Sequence, residues 1–600
     1  MTENDSPDAL AAAWLTRFQD ALESDDEHAV AATFVEDSYW RDVMALTWDI
    51  GWTGTDTAIA ERFLSTARQM HPRDFAISER HTPPRRVTRL TREVIEAFFT
   101  FTTDVGKGVG VVRLVPDESA PGGYAAWTIL TTIKELRGFE DQPPAVRRDD
   151  IGFDRRSNPG LTWESYRNRE STFEDRDPEV MVVGGGHSGQ MIAARLKHLS
   201  VDTLVVDRHP RVGDNWRTRY STLSLHNVTD VVHMPYMPFP ATFPAYLPKD
   251  KLAGWLEAYA YAMDLNYWPS TEFLGGTYDE SSGRWTVTLR TADGSTRTMR
   301  PAHIVLATGG FAGRPRIPDL PGLSSFAGEV VHTHAFTSGA DYAGRRVLVL
   351  GAATSAHDVA LDLYNHGAEV TLMQRSPTMV ISLETANRPY GQYTDGTPLE
   401  EADLVGAINF IFPPLRDALQ QAVHDDLERD HDLLEGLKAA GMRIDMGADG
   451  AGWMLKYFRQ NGGYYIDVGC SPVITAGGIA IEQYDDVETF VDRGVEHKDG
   501  TVEEFDTIVL ATGYLNQQVE VRDFFGDEVA DKVGPIMGYD SGYELRNDWR
   551  PTAQRGLWFC AGGFAQVRSY SRYLAIAIKA DLLGITQRSA ESAGVSSTSS

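Results

Sequence analysis

The residues with the clearest chemical potential lie near the middle of the chain, where glycines and an acid follow an apolar run. Gly184, Gly186 and Gly189 form a G-x-G-x-x-G pattern after four apolar residues, and Asp207 follows Gly189 by 18 residues. Such glycines allow a tight turn, close approach of backbone to a pyrophosphate, and close helix–strand packing, while the acid accepts hydrogen bonds from a ribose. Glycine turns also occur without ligands, but strand, turn and acid together predict a dinucleotide site. The predicted contacts are Gly184, Gly186, Ser188, Gly189 and Asp207.

A second pattern of the same kind begins at Arg346 and has alanines in place of two glycines. Its second strand ends in Arg375 and Ser376 rather than in an acid. A guanidinium there can bind a 2′-phosphate bidentately, which favours NADPH over NADH. The alternative is that Arg375 is a solvated charge at a strand end. The predicted contacts are Gly351, Ala353, Ser355, Ala356, Arg375 and Ser376.

Two later apolar runs, 303–310 and 507–514, both contain Ala-Thr-Gly after the strand. Such runs are typical of buried parallel strands that return beside a bound dinucleotide. They add Thr512 and Gly513 to the predicted contacts. The chain therefore carries two nested dinucleotide units, and two such cofactors imply hydride transfer from a nicotinamide to a flavin.

A spaced motif between the two units makes the interpretation specific. Residues 326–336 match F-x-G-x-x-x-H-x-x-x-F, and the chain resembles the flavin-containing and Baeyer–Villiger monooxygenases in this motif. Asn215 and Trp216 stand at the family's flavin-contacting pair, and 237–252 resembles plant YUCCA-type enzymes. The resemblance covers about 178–590, and the N-terminal extension is similar to that of bacterial type II flavin-containing monooxygenases. It implies FAD, NADPH with possible use of NADH, O2 and a small organic substrate.

Two side chains are candidates for catalysis. Where many flavin-containing monooxygenases carry Thr-Asn, this chain has Leu225 and His226, as YUCCA-type enzymes do. His226 could donate a hydrogen bond to the flavin or to a substrate carbonyl, or could be a core histidine bonded to backbone. Arg568 could neutralise charge on a reduced flavin, or could pair with an acid.

The resemblance implies that a flavin peroxide or hydroperoxide inserts one oxygen atom into the substrate. Baeyer–Villiger oxidation of ketones and oxygenation of sulfur or nitrogen are the expected reactions. Oxidative decarboxylation of a 2-oxo acid, as in YUCCA-type enzymes, remains open. So do an NAD(P)H oxidase or reductase that inserts no oxygen, and a nucleotide-sensing protein.

Composition narrows the classes of partner. Lys plus Arg is 56 against 85 for Asp plus Glu, a net charge of −29, which argues against nucleic acid and anionic membranes. The only two cysteines, Cys470 and Cys560, form no redox pair, and no metal-binding motif such as H-E-x-x-H occurs. An uncharged run at 231–248 holds several prolines and is not expected to span a membrane. The acidic start without a signal sequence fits a cytoplasmic protein.

The fold class is α/β, with two nested dinucleotide-binding (Rossmann-like) domains preceded by an α+β cone domain. Leu10, Trp14, Phe18 and Leu22 recur every four residues and predict a helix, after which alternating runs predict a curved antiparallel sheet. This order resembles SnoaL-like domains, which we expect to mediate homodimerisation or support rather than catalysis. The expected boundaries are 1–140 for the cone, 141–178 for a linker, 179–338 for the first part of the FAD-binding domain, 339–500 for the NAD(P)-binding domain with a helical insertion at 377–469, 501–590 for the second part of the FAD-binding domain, and 591–600 for a disordered tail.

Overall fold

The computed structural model describes residues 6–140, 153, 156–309 and 313–586. The predicted tail at 591–600, most of the first half of the predicted linker and Gly310 lie outside the described residues. The N-terminal domain consists of α1 (Pro7–Glu23), α2 (Glu27–Ala31), β1 (Phe34–Val43), β2 (Ile50–Gly54), α3 (Asp56–Met70), β3 (Arg73–Ile77), β4 (Arg85–Arg89), β5 (Arg92–Thr102), β6 (Gly106–Pro116) and β7 (Tyr124–Leu136).

The N-terminal domain forms because its helices bury an aromatic face against the sheet. Helix α1 is capped by Ser6 and begins with proline, and its Trp14 and Phe18 stack at 4.9 Å while fully buried. The sheet order is β2-β1-β7-β6-β5-β3, with β4 also on β5. Strands β1 and β7 run parallel and the other pairs antiparallel. Helix first and sheet second is the predicted order; the likeness to a SnoaL-like cone stays a prediction.

The middle of the chain builds the first dinucleotide unit. Its elements are α4 (Trp163–Thr172), β8 (Val180–Val183), α5 (His187–His198), β9 (Thr203–Val206), α6 (Asp214–Arg217), α7 (Lys249–Ala262), β10 (Tyr267–Trp268), β11 (Glu272–Asp279), β12 (Arg284–Arg290), β13 (Thr296–Met299) and β14 (His303–Leu306). Helix α4 lies within the predicted linker and buries none of its residues. Strands β11 to β13 form a separate antiparallel sheet.

The second unit follows and contains the insertion. Its elements are β15 (Glu329–His332), β16 (Arg346–Leu350), α8 (Thr354–Asn365), β17 (Glu369–Gln374), β18 (Met379–Ser382), α9 (Leu383–Asn387), α10 (Leu399–Asn409), α11 (Pro414–Arg429), α12 (His431–Ala439), α13 (Gly452–Gln460), β19 (Tyr464–Asp467), α14 (Cys470–Thr475), β20 (Ile479–Gln483), β21 (Val487–Val491), β22 (Gly494–His497), β23 (Val502–Glu504) and β24 (Thr507–Leu510). The predicted insertion at 377–469 is indeed rich in helix.

The chain then returns to the first unit through α15 (Gln518–Phe525), α16 (Asp527–Val533), β25 (Leu557–Phe559) and α17 (Phe564–Leu582). The first unit has a parallel sheet of order β10-β9-β8-β14-β25, and the second has a parallel sheet of order β15-β24-β16-β17-β20. All residues of β8, β9 and β14 are buried, as expected for strands covered on both faces. These two sheets confirm the predicted pair of nested units.

Two strands lie on the other side of the predicted domain boundaries. Strands β15 and β24 pair with each other, and β24 pairs with β16, in the second sheet. The boundaries at 338 and 501 had assigned both strands to the first domain and are corrected here. A short apolar run indicates a buried strand but carries no sign of which sheet it joins, because parallel pairing is made across long sequence distances.

No helix within the described ranges combines the length and apolar character that a membrane crossing needs.

Candidate functional site

A cavity of about 1670 Å³ lies between the two parallel sheets and is lined by residues of every part of the fold. Both glycine turns, the insertion, the segment before β25 and the start of α17 contribute to its wall. The N-terminal domain contributes Arg41 and Ile50. The predicted sites of the two dinucleotide units therefore open into one continuous space.

The backbone of the first glycine turn leaves little room for side chains. Gly184 has φ of +101°, and a Cβ there would lie 2.4 Å from the carbonyl oxygen of Ala307. A Cβ at Gly189 would lie 1.9 Å from the oxygen of Gly184, so helix α5 can pack this closely on the turn only with glycine. At Gly186 a Cβ would meet the Asn215 side chain at 2.8 Å. Gly184 and Gly189 thus have the turn and packing roles that their spacing predicted, and the approach of a pyrophosphate to Gly186 stays a prediction.

Three helices begin at the cavity without a side-chain cap. Helices α5, α8 and α17 start after Gly186, Ala353 and Gly563, and none of these residues caps the helix with a side chain. All three residues line the cavity. The first N–H groups of a helix need hydrogen-bond partners and favour anions. An uncapped helix start that faces a cavity can therefore bind a phosphate or the carbonyl oxygens of a ligand.

Asp207 sits at the end of β9, buried beside the first turn. Its carboxylate accepts the N–H of Gly185 at 2.6 Å, and both the backbone N–H and the Nδ1 of His209 lie at 2.8 Å from it. Burial raises the pKa of Asp207, but the hydrogen bonds from His209 and Gly185 outweigh it and bring the pKa below its ordinary value. The acid is therefore ionised and held at the cavity, as a ribose contact requires.

Asn215, Trp216 and Ser188 also line the cavity, and their contact with a cofactor stays a prediction. The indole N–H of Trp216 is buried and finds no hydrogen-bond partner in the described part of the chain. Beside it, His187 stacks on Phe564 at 4.1 Å. Trp216 lies 6.0 Å from His187 and 6.1 Å from Phe564 between ring centres, so this aromatic group joins the start of α5 to the start of α17 at the cavity.

The second turn keeps its backbone shape despite the alanines. Gly351 has φ of +132°, and a Cβ there would lie 2.5 Å from the oxygen of Ala511. Arg375 and Ser376 are exposed at the cavity after β17, and the carbonyl of Arg375 accepts a hydrogen bond from Arg443 at 2.7 Å. Arg375 thus lies on the cavity lining at the end of β17, next to the second turn.

Of the remaining residues predicted as contacts in the second unit, most line the cavity and one is buried in the core. Ser355 and Ala353 line the cavity, whereas Ala356 is buried in α8. Thr512 and Gly513 line the cavity after β24, where the Thr512 hydroxyl donates to the carbonyl of Arg316 at 2.5 Å. Gly513 accepts at 3.1 Å from His332, the histidine of the spaced motif.

His226 lies on the cavity wall near a buried acid that the sequence did not single out. Its carbonyl accepts the Asn387 amide at 2.9 Å, and its side chain is close enough to Asp358 to influence that carboxyl. Burial raises the pKa of Asp358, partly offset by His226 and by the Tyr220 hydroxyl, which donates at 2.5 Å. The other oxygen of Asp358, Oδ1, has no partner in the described structure. Tyr220, His226 and Asp358 form a polar group between the two units.

Arg568 is not placed as a catalytic residue at the cavity. It is buried, forms a bidentate salt bridge with Asp403 at 2.6 and 3.0 Å, and donates to the carbonyls of Val231 and His233. It does not belong to the cavity lining. This corrects the catalytic role considered for Arg568 and favours its alternative, pairing with an acid. The sequence could not show it because Asp403 lies 165 residues away.

A second acid missed by the sequence reasoning is Asp548, which is fully buried on the cavity wall. Burial raises its pKa well above the ordinary value, only partly offset by the Ala561 N–H at 3.1 Å. Its Oδ2 makes no hydrogen bond within the described residues. Asp548 is therefore a buried carboxyl with a raised pKa and with one oxygen, Oδ2, available for a hydrogen bond to a ligand.

The two cysteines and one cluster of side chains that could bind a metal are not part of the site described above. Cys470 and Cys560 are buried and unpaired. Among the described residues, Glu482, His497 and Glu503 bring their ligand atoms within 4.8 Å of one another. They lie at β20 to β23, away from the cavity. The absence of a metal from the reaction stays a prediction.

Comparison with known proteins agrees with this arrangement. Residues 181–389 match the family described as pyridine nucleotide-disulphide oxidoreductase. The chain is 31% identical over 395 residues to the indole-3-pyruvate monooxygenase YUCCA1 of Oryza sativa subsp. japonica, covering 65% of this chain and 87% of that protein. It is 31% identical over 363 residues to the probable indole-3-pyruvate monooxygenase YUCCA3 of Arabidopsis thaliana, covering 58% of this chain and 76% of that protein.

A solved structure shares the fold. The open crystal structure of cyclohexanone monooxygenase superposes with a TM-score of 0.50 at 18% identity, over 69% of this chain and 88% of that one. Two parallel sheets with glycine turns at one cavity, together with the extent of the YUCCA similarity, lead to one conclusion. The chain belongs to the flavin-containing monooxygenase family.

Proposed function

We propose that this protein uses FAD and NADPH to insert one oxygen atom of O2 into an uncharged organic ketone, forming an ester or lactone. The observation that carries the proposal is that two uncapped glycine-turn helices, α5 and α8, open into one cavity. Such helix starts bind phosphates, and a shared cavity lets two dinucleotides meet. In this reaction the ketone gains one oxygen atom, the other leaves as water, and NADPH supplies the electron pair.

The residues present fit FAD at the first turn. Gly184, Gly186 and Gly189 leave no room for side chains beside the start of α5, so the pyrophosphate would be held by backbone N–H groups. Asp207 would accept hydrogen bonds from the ribose. Trp216, whose indole N–H is unpaired in the described structure, would lie against the flavin.

The second turn fits NADPH in the same manner. The start of α8 would hold the pyrophosphate, and the exposed guanidinium of Arg375 would bind the 2′-phosphate. NADH can be accepted as well, because the turn itself binds groups that both nucleotides share. Preference for NADPH then depends on Arg375 alone.

Reduced flavin, when bound, supplies the electrons that activate O2. The protein must exclude water from this site and hold protons where they are needed. His226 would donate a hydrogen bond to a substrate carbonyl from the cavity wall between the two units. Because the Tyr220 hydroxyl is already bound to Asp358, the imidazole is the better donor toward the cavity.

The test is turnover with ¹⁸O2 and a set of simple ketones, followed by mass spectrometry of the product. We expect one ¹⁸O atom in the ester for each NADPH consumed. Stoichiometric hydrogen peroxide with no labelled product would favour the oxidase alternative. Purified protein without flavin, and without affinity for added FAD, would favour a nucleotide-sensing protein.

A second candidate is oxidative decarboxylation of a 2-oxo acid. The observation that favours it is the 31% identity to proteins named indole-3-pyruvate monooxygenase, together with Leu225 and His226, which resemble that group. Release of CO2 from a 2-oxo acid in step with NADPH consumption would support it. Oxygenation of sulfides or amines is checked with the same ¹⁸O2 assay.

Two further expectations remain predictions. We propose that the protein is a homodimer, which size-exclusion chromatography with light scattering can measure. We also propose a cytoplasmic location, as the scarcity of cysteine suggests.

A further inference from the structure

We propose that the N-terminal domain is a wall of the substrate chamber and determines which uncharged molecules the enzyme accepts. The proposal rests on the proposed function, because it names the size and charge class of that reaction's substrate. Its basis is the hairpin formed by β1 and β2, which places Arg41 and Ile50 on the cavity. The domain that we expected to serve dimerisation or support thus reaches the site itself.

The hairpin is held against the rest of the molecule by contacts along its whole length. Asp49 accepts a bidentate salt bridge from Arg550 at 2.6 and 2.7 Å. The indole of Trp52 donates to the carbonyl of Gly542 at 2.6 Å. Both partners belong to the segment 540–550, which also supplies Glu544, Leu545, Asp548 and Trp549 to the cavity. The hairpin therefore positions a neighbouring part of the wall as well as its own residues.

Arg41 connects three elements of the wall. Its guanidinium forms a bidentate pair with Glu544 at 2.7 Å, donates to the carbonyl of Ala407 in α10 at 2.8 Å, and donates to the hydroxyl of Tyr570 in α17 at 3.0 Å. Its side chain is only 1% exposed. A single buried side chain of the N-terminal domain thus ties together the insertion, the 540–550 segment and the last helix.

The surroundings of this wall favour an uncharged ligand. The charge of Arg41 is compensated by Glu544, that of Asp403 by Arg568, and Asp548 is fully buried. An anionic substrate would find no uncompensated cation among these groups and would meet the cost of charge burial. The buried Asp548 carboxyl lies on this wall, and its Oδ2, which has no partner among the described residues, can form a hydrogen bond with an uncharged polar ligand.

The apolar part of the wall gives the chamber its shape. Phe410 packs edge-on against Phe458 at 4.7 Å, and the Arg41 guanidinium lies over the ring of Phe410 at 5.1 Å. Trp549 and Tyr570 lie 6.3 Å apart between ring centres. Ile50 is 4% exposed and completes this surface from the N-terminal domain. Changing its volume should change the space available to the ligand.

The test uses the full chain with FAD and two variants at one position, Ile50→Ala and Ile50→Phe. Binding of cyclohexanone and of the larger 4-phenylcyclohexanone is measured from changes in the flavin spectrum without NADPH, and kcat/KM is measured for both. Phenylpyruvate serves as the anionic probe. The matched control is Ile59→Ala, because Ile59 is fully buried in the same domain but does not line the cavity.

We expect Ile50→Ala to shift the preference toward the larger ketone by roughly tenfold and Ile50→Phe to shift it the other way. Ile59→Ala should keep the wild-type rate of anaerobic flavin reduction by NADPH. A preference identical in wild type, Ile50 variants and Ile59→Ala would overturn the proposal, as would tighter binding of phenylpyruvate than of either ketone. Because the spectral titration needs no oxygenation, these results stay distinct from failure of the proposed reaction itself.

Discussion

At the residue scale, we propose that Arg375 decides between two nicotinamide nucleotides. Its exposed guanidinium lies at the cavity beside the second turn. We expect Arg375→Ala to raise the KM for NADPH roughly tenfold, because charge-assisted bonds to a 2′-phosphate are lost, and to leave the KM for NADH nearly unchanged. Steady-state kinetics with each nucleotide measure this. Arg493→Ala, at an exposed arginine away from the cavity, is the control, and equal effects on both nucleotides would show that Arg375 binds no 2′-phosphate.

Another residue-scale prediction concerns pH. Burial and the neighbouring Glu503 raise the pKa of Glu482 to about 8, above its ordinary value of 4.5. A raised pKa in the folded state means that stability present at low pH is lost as pH rises from the ordinary value through about 8. Glu482→Gln removes that loss. We expect its Tm to exceed that of wild type by an amount that grows between mildly acidic and alkaline buffer.

Thermal melts across this pH range measure the difference. Glu488→Gln is the matched control, since Glu488 is exposed on the neighbouring strand β21. If both variants follow the same pH dependence as wild type, Glu482 does not ionise as described.

At the element scale, the junction between β8 and α5 depends on backbone contact. A Cβ at Gly189 would lie 1.9 Å from the carbonyl oxygen of Gly184, so the helix must move away from the turn. We expect Gly189→Ala to lower stability by about 1–3 kcal/mol and to yield protein largely free of flavin. Absorbance of the purified protein gives the flavin content, and thermal melts give the stability.

Gly254 supplies the control for this element. It lies within helix α7, and a Cβ there would meet nothing within 4 Å. Gly254→Ala should therefore raise stability by up to about 1 kcal/mol and keep the flavin. Full flavin content in Gly189→Ala would show that the first turn does not need this close packing.

At the scale of the whole molecule, the N-terminal domain is joined to the cavity by buried charge. Arg41→Leu leaves Glu544 buried without its partner, and we expect it to destabilise the folded protein by about 3–5 kcal/mol. The double variant Arg41→Leu/Glu544→Leu should recover a large part of this loss, because no unpaired charge remains. Denaturant unfolding measures both changes.

An exposed ion pair in the same domain serves as the control for the buried pair of Arg41 and Glu544. Arg68 and Asp25 are 62% and 55% exposed, so Arg68→Leu should change stability by less than about 1 kcal/mol. Equal losses for Arg41→Leu and Arg68→Leu would mean that the contact between the domains does not depend on the buried pair.

The parts of the site that the sequence predicted are local. Gly184, Gly189 and Asp207 were identifiable because a turn, a helix start and a strand end lie within one short stretch of chain, where spacing specifies geometry. Arg375 was predicted in the same way, from its place at the end of an apolar strand, and its contact with a nucleotide stays a proposal. Two nested units could be predicted since each is a local strand–turn–helix repeat.

What the sequence by itself determined was thus an α/β fold with two strand–turn–helix units and, through the spaced motif, the family, whereas the SnoaL-like cone and the nucleotide contacts stay predictions. The tertiary structure decided the rest: that β15 and β24 share the second sheet, that Arg568 pairs with Asp403, and that Asp548 is buried on the cavity. It also brought Arg41 to Glu544 across 503 residues. The physical reason is that such contacts arise from packing between distant elements, and neither periodicity nor spacing along the chain records which buried groups will meet.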